Sequence, residues 1–130
     1  QQVAGLVLFY DTCNWIYAYI TWDERVNART LQILRCDFKD FTYGSDAVPL
    51  PDAKFAEVCV TAQMRSFITR RTAAGSLGRG SAADHLSDDY VETRRGRCAF
   101  TGAMVGICAQ DMDAHHSHAD FACFDYEEQR

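Results

Sequence analysis

The feature that most constrains this chain is the grain of its apolar runs, which are short, rich in aromatic and β-branched residues, and broken by polar or glycine-containing segments. Strands and turns need that grain, whereas an amphipathic helix would repeat its apolar residues every three to four positions. Residues 15–22 show it most clearly, with Trp15, Tyr17, Tyr19 and Thr21 alternating against Ile16, Ala18, Ile20 and Trp22. An apolar run over residues 3–10 precedes them and ends at Asp11-Thr-Cys-Asn14. Residues 30–36 then alternate Leu31, Ile33 and Arg35 against Gln32, Leu34 and Cys36. Further runs cover residues 55–63, 64–69, 100–110 and 119–126; in the last, Phe121, Cys123 and Asp125 alternate with Ala122, Phe124 and Tyr126. The pattern predicts an all-β, antiparallel domain of about seven strands.

The breaks are equally informative. Residues 23–28 read as a polar turn closing a hairpin, and residues 37–46 as a polar loop. Val48-Pro-Leu-Pro51 belongs at a sheet edge or in a connection, because proline cannot donate to a ladder. Residues 70–80 carry Ala73-Ala-Gly-Ser-Leu-Gly-Arg-Gly80, which has almost nothing to bury and predicts a flexible loop. Its glycines lack the Gly-Lys-Ser/Thr ending of a phosphate loop and the strand and helix that frame a dinucleotide fingerprint. Leu86-Ser-Asp-Asp-Tyr90 predicts a short helical turn capped by Ser87 or Asp88.

With 130 residues there is room for a single domain, assigned to residues 1–130. A formal net charge of −5 offers no basic footprint for a phosphate backbone, so nucleic acid is not an expected partner. No apolar run approaches the roughly 20 residues that cross a bilayer, and no signal peptide is visible ahead of residue 3. A cytoplasmic, membrane-free protein is the expectation. The six cysteines are widely spaced, several of them inside apolar runs such as Glu57-Val-Cys-Val60, and are read as reduced, buried side chains.

Chemistry-bearing residues are scattered. His115, His116 and His118 share a polar segment with Asp111, Asp113 and Asp120, a donor set suited to zinc, though the spacing matches no helical or finger pattern. Asp23 and Glu24, like Asp88 and Asp89, read as solvated turn acids, not as an enclosed acid–base pair. There is no Gly-x-Ser-x-Gly elbow and no cysteine-nucleophile signature. Trp15, Tyr17, Tyr19 and Trp22 could either stack on the apolar faces of sugars or fill a core.

Several motifs, taken in order, carry a resemblance. The ending Phe100-Thr-Gly-Ala-Met-Val-Gly-Ile-Cys-Ala-Gln-Asp111, followed by Ala119-Asp-Phe-Ala-Cys-Phe-Asp-Tyr126, resembles the C-terminal concanavalin-like β-sandwich of family-43 glycoside hydrolases of the bacterial β-xylosidase type. Gln1-Gln-Val-Ala-Gly-Leu-Val7, Tyr10-Asp-Thr-Cys-Asn-Trp15, Tyr19-Ile-Thr-Trp-Asp-Glu24, Leu50-Pro51 and Leu86-Ser-Asp-Asp-Tyr90 fall in the same register. Residues 55–80 depart most, since the family carries an alternating strand pair with an Asp-Gly turn and a Trp there.

The resemblance implies a concanavalin A-like sandwich of the jelly-roll kind, fragment-like because the family's domain has strands ahead of the point where Gln1 stands. It also implies a noncatalytic accessory role in carbohydrate metabolism and xylan degradation. The family's catalytic carboxylates lie in a separate β-propeller domain, so the chain alone is expected to lack glycosidase activity. The expected partner is that catalytic domain or a second copy of the chain. Phe100, opening the Phe-Thr-Gly motif, takes the position of a family phenylalanine that helps close the substrate pocket. Asp120 takes the position of a calcium-binding aspartate in related sandwiches; no other cofactor is implied. The alternative is a freestanding carbohydrate-binding, lectin-like module in which Trp15, Tyr17, Tyr19 and Trp22 meet xylo-oligosaccharide.

Overall fold

The computed structural model describes residues 2–43, 47–50, 58–63, 66–71, 79–82, 84–96, 102–113 and 115–126. Three long strands open it: β1 (Gln2–Asp11), β2 (Asn14–Asp23) and β3 (Ala28–Asp37). They form an antiparallel meander, and their turns follow from the acids that begin them. Asp11 Oδ1 accepts the backbone N–H groups of Cys13 at 2.7 Å and Asn14 at 2.9 Å, and Asp23 Oδ1 accepts that of Arg25 at 2.9 Å. A carboxylate that holds amides two or three residues on fixes a tight reversal without help from the rest of the fold.

β4 (Asp40–Tyr43) returns along β3, with Cys36 opposite Phe41 and Leu34 opposite Tyr43. This strand stands where the sequence reading expected a polar loop. The two-residue connection before it has positive φ at both Phe38 (49°) and Lys39 (80°), the backbone form that matches hairpin twist but usually recruits Asn or Gly. β5 (Val48–Pro49) pairs with residues 30 and 31 of β3, which is the edge placement expected for a proline-bearing segment.

β6 (Val58–Gln63), β7 (Ser66–Arg71) and β8 (Arg79–Ala82) make a second, three-stranded antiparallel sheet in that order. β8 corrects the expectation of a loop through residue 80: Gly80 pairs with Ile68 in its ladder. A 3-10 turn (Asp84–Leu86) and an α-helix, α1 (Asp88–Arg95), follow. Ser87 caps the helix as anticipated, its Oγ accepting the Tyr90 N–H at 3.3 Å, and Asp88 and Asp89 place negative charge in the first turn. Gly96, at φ 63°, ends it in the left-handed form, with its N–H on the Glu92 carbonyl at 2.7 Å.

β9 (Met104–Asp111) crosses back to lie antiparallel beside β1, so the larger sheet runs β4-β3-β2-β1-β9. Gly5, in the middle of β1, sits where a Cβ would overlap the Ala18 carbonyl oxygen and crowd Tyr19 Cα. Residues 119–126, expected as the closing strand, are not one: they lie outside any sheet, and Phe121, Phe124 and Tyr126 are exposed. Alternating apolar residues make a strand only when a neighbouring strand takes up their amides and carbonyls, and no described strand stands beside this segment.

Both faces of the larger sheet are used. On one, Tyr10, Ile16, Ala18 and Ile33 pack with Leu86 and Val91, which the 3-10 turn and α1 bring down onto the strands. On the other, Val3, Tyr17 and Tyr19 pack with Val7, Trp15, Leu34 and Cys108. Cys13, Cys36, Cys108 and Cys123 are free thiols, and burial pushes the Cys36 thiol above its ordinary range.

Candidate functional site

Alternation along β2 places Trp15, Tyr17 and Tyr19 on one face and Trp22 on the other. The structure therefore brings three of the four candidate aromatics together. Tyr17 and Tyr19 pack ring against ring at 5.0 Å, and Trp15 meets Phe41 of β4 at 6.1 Å. Neither tyrosine is open to solvent: they are 6% and 5% exposed, whereas Trp22 on the far face is 52% exposed. Their hydroxyls are also engaged. Tyr17 donates to the Cys108 carbonyl at 2.8 Å, linking β2 to β9 across β1, and Tyr19 donates to Gln32 Oε1 at 3.0 Å. Burial raises the pKa of both phenols. This arrangement is a packed aromatic layer whose polar ends are satisfied by neighbouring strands.

A second constellation, absent from the sequence reading, joins α1 to the opposite face. Asp11 of β1, Asn14 of β2 and Asp37 of β3 are successive cross-strand partners at one end of the meander. Asn14 is fully buried and gives its carboxamide N–H to the His85 carbonyl at 3.2 Å. Tyr90 donates to Asp37 Oδ2 at 2.7 Å, which holds its pKa up because the neighbouring carboxylate favours the protonated phenol. Tyr10 donates to Asp88 Oδ1 at 2.5 Å. Phe38, in the positive-φ turn, lies 6.3 Å from the Tyr90 ring and 5.3 Å from the Arg94 guanidinium. The result is a polar clasp under a helix, in which carboxylates on sheet and helix each hold a tyrosine hydroxyl from the other.

The histidine-rich segment has a different use for its carboxylate. Asp111 accepts the backbone N–H groups of Asp113 at 3.0 Å, His116 at 3.1 Å and Ser117 at 2.9 Å, which lowers its pKa. His115 turns outward at φ 57°. Asp120 is exposed and has His118 Nε2 at 3.8 Å. Among the described residues, no three His, Cys, Asp or Glu side chains gather closely enough to hold a metal ion. Phe100 lies outside the described residues. No helix among the described residues is long and apolar enough to cross a membrane.

Comparison with known proteins places these observations. Residues 1–127 match the family described as the β-xylosidase C-terminal concanavalin A-like domain, GH43_C2. The chain is 32% identical over 134 aligned positions to the β-xylosidase of Bacillus subtilis (strain 168), covering 98% of this chain and 24% of that protein. It is 30% identical to a putative β-xylosidase of Escherichia coli (strain K12), with the same coverage. A crystal structure of xylan β-1,4-xylosidase from Bacillus halodurans C-125 superposes with a TM-score of 0.68 and 25% identity, over 88% of this chain and 22% of that one. A GH43 protein from Bacillus licheniformis shares the fold at a TM-score of 0.61 and 22% identity, over 83% of this chain and 20% of that one. The chain thus spans about a quarter of the length of the curated relatives it matches.

Proposed function

Because the chain belongs to the family of β-xylosidase C-terminal concanavalin A-like domains, we propose that it is a noncatalytic partner of a glycoside-hydrolase catalytic domain that removes xylose units from xylan-derived substrates. The observation that carries this reading is one of proportion: relatives named as β-xylosidases extend over about four times the length that this chain matches. The tyrosine clasps and the packed aromatic layer among the described residues suit a scaffold. In this reading the domain braces the catalytic domain, and Phe100 reaches into the substrate pocket as its family position suggests.

The experiment is kinetic. The pure chain should show no turnover of an aryl β-xyloside, and a protein carrying it together with its catalytic domain should turn over. In that longer protein, Phe100→Ala should raise KM for xylobiose several-fold with a smaller change in kcat, as expected for a group that binds substrate without touching the reacting atoms. Turnover by the pure chain would overturn the noncatalytic assignment. An unchanged KM in Phe100→Ala would remove Phe100 from the pocket.

The lectin-like alternative asks Trp15, Tyr17, Tyr19 and Trp22 to form one open platform. Two faces and two buried tyrosines give it no support.

A further inference from the structure

Two of the free thiols lie at the same end of the larger sheet. Cys13 ends the turn between β1 and β2, and Cys36 stands one residue before the end of β3. The ladder between β2 and β3 sets Asn14 opposite Asp37 and Trp15 opposite Cys36. The Phe38 N–H donates to the Cys13 carbonyl at 2.8 Å, which carries the pairing one step further and makes Cys13 and Cys36 diagonal neighbours. The Cys36 thiol uses that proximity. It donates to the Cys13 carbonyl oxygen at 3.2 Å, so its sulfur already spans the gap between the strands and reaches the residue whose own thiol hangs from the adjoining Cα. Burial raises the Cys36 pKa most, and a negative charge on Cys13 raises it further, as expected of thiols that feel each other. The two differ in access: Cys36 is 2% exposed, whereas Cys13 is half-buried, with Thr12 Oγ1 at 3.9 Å from its sulfur.

We propose that Cys13 and Cys36 are a reversible redox pair, closed to an intrachain disulfide by a low-molecular-weight disulfide RSSR. Cys13, the more accessible sulfur, gives its proton to solvent and attacks one sulfur of RSSR, forming a mixed disulfide on Cys13 and releasing one RS⁻. Cys36 then loses its proton, attacks Cys13 Sγ and expels the second RS⁻. The two thiolates released take up the two protons, so the protein thiols are oxidised by two electrons and RSSR is reduced to two RSH. A buried thiol with a raised pKa is a slow nucleophile toward reagents from solution, and what makes Cys36 reactive here is a partner sulfur held beside it. The closed bond staples the β1–β2 turn to the end of β3, next to the Asp37 carboxylate that holds Tyr90 of α1.

Equilibrating the pure chain with oxidised and reduced glutathione at graded ratios, quenching with acid, alkylating and cutting with trypsin tests this. Cys13 falls in the peptide spanning residues 1–25 and Cys36 in the peptide spanning residues 36–39, each with no other cysteine. The expected product is these two peptides joined and lighter than their sum by two hydrogens, separated again by excess dithiothreitol. Because the fold holds the sulfurs together, the link should form at an oxidised-to-reduced ratio about ten-fold or more below that needed in concentrated urea. Cys36→Ser should stop at glutathione on Cys13, and Cys13→Ser should leave Cys36 unmodified. The unsubstituted chain decides the matter however well the variants fold. The proposal is overturned by a folded chain in which neither cysteine reacts, Cys13 stops at the mixed disulfide, or either sulfur pairs with another cysteine instead. A link that forms no more readily in the folded chain than in urea overturns it as well.

Discussion

Tyr90 on α1 gives its hydroxyl to Asp37 on β3, while Tyr10 on β1 gives its own to Asp88 on α1, so helix and sheet each lend a tyrosine to the other's carboxylate. The two bonds stand at 2.5 and 2.7 Å and tie residues 78 and 53 positions apart in the chain. Hydrogen bonds to charged acceptors contribute about 1.5–3 kcal/mol each. Tyr90→Phe and Tyr10→Phe should therefore each lower stability by about 1–3 kcal/mol, read as a reduced urea midpoint at unchanged slope.

The clasp has a pH signature. The Tyr90 phenol is held protonated above its ordinary value of 10.0, chiefly by the Asp37 hydrogen bond. A group whose folded pKa is raised contributes stability that is complete below its unfolded pKa and is lost as pH rises through the folded one. Stability should thus fall on the alkaline side of pH 10.0 in the unsubstituted chain, and fall less steeply there in Tyr90→Phe. Denaturation midpoints on either side of that pH check it.

Asp111 carries the opposite sign. Its carboxylate, held by three backbone amides, titrates below its ordinary value of 3.8. The contribution of this loop clamp is present above that value and is lost as pH falls through the lower folded pKa. Protection of the Asp113, His116 and Ser117 amides, taken relative to intrinsic exchange at each pH, should fall on acidification below pH 3.8, and should already be low at neutral pH in Asp111→Ala.

Two glycines should respond in opposite ways to the same change. A Cβ at Gly5 meets the Ala18 carbonyl and Tyr19 Cα, whereas one at Gly106 on the neighbouring strand meets nothing within 4 Å. Gly5→Ala should cost about 1–3 kcal/mol or more through forced strand separation, and Gly106→Ala should be close to neutral. Thermal melting of the two variants side by side decides it.

The turn before β4 stores strain that glycine would relieve. Lys39 sits at φ 80°, where a side chain is unfavourable, and Lys39→Gly should stabilise the chain by about 1 kcal/mol, measured by chemical denaturation. Phe38→Gly at the adjacent position should not, because it also forfeits the ring's contacts with Tyr90 and Arg94.

What the sequence disclosed follows from how local each cause is. The meander β1 to β3 was legible because period-two alternation and the turn carboxylates Asp11 and Asp23 act within a few residues, and Ser87 announced α1 for the same reason. β4 was hidden because Asp40, Thr42 and an exposed Phe41 and Tyr43 look like loop, and only register against β3 makes them strand. Residues 119–126 erred the other way, since their pattern is that of a strand but no described neighbour pairs with them. Alternation correctly set Trp15, Tyr17 and Tyr19 on one face, yet it could not tell an open face from a covered one. The tyrosine clasps left no trace at all, because their partners meet only once α1 has docked.

The strand order also says something about time. β1, β2 and β3 meet through short turns, so their pairing needs little chain to be gathered in. The ladder between β1 and β9 closes around everything from β2 to α1. Contacts that enclose so much chain form late and slow the approach to the native state. During synthesis the inner side of β1 must therefore wait, bare and apolar, until residues 104–111 have left the ribosome. The hazard of misassembly is greatest in that interval, before β9 has arrived.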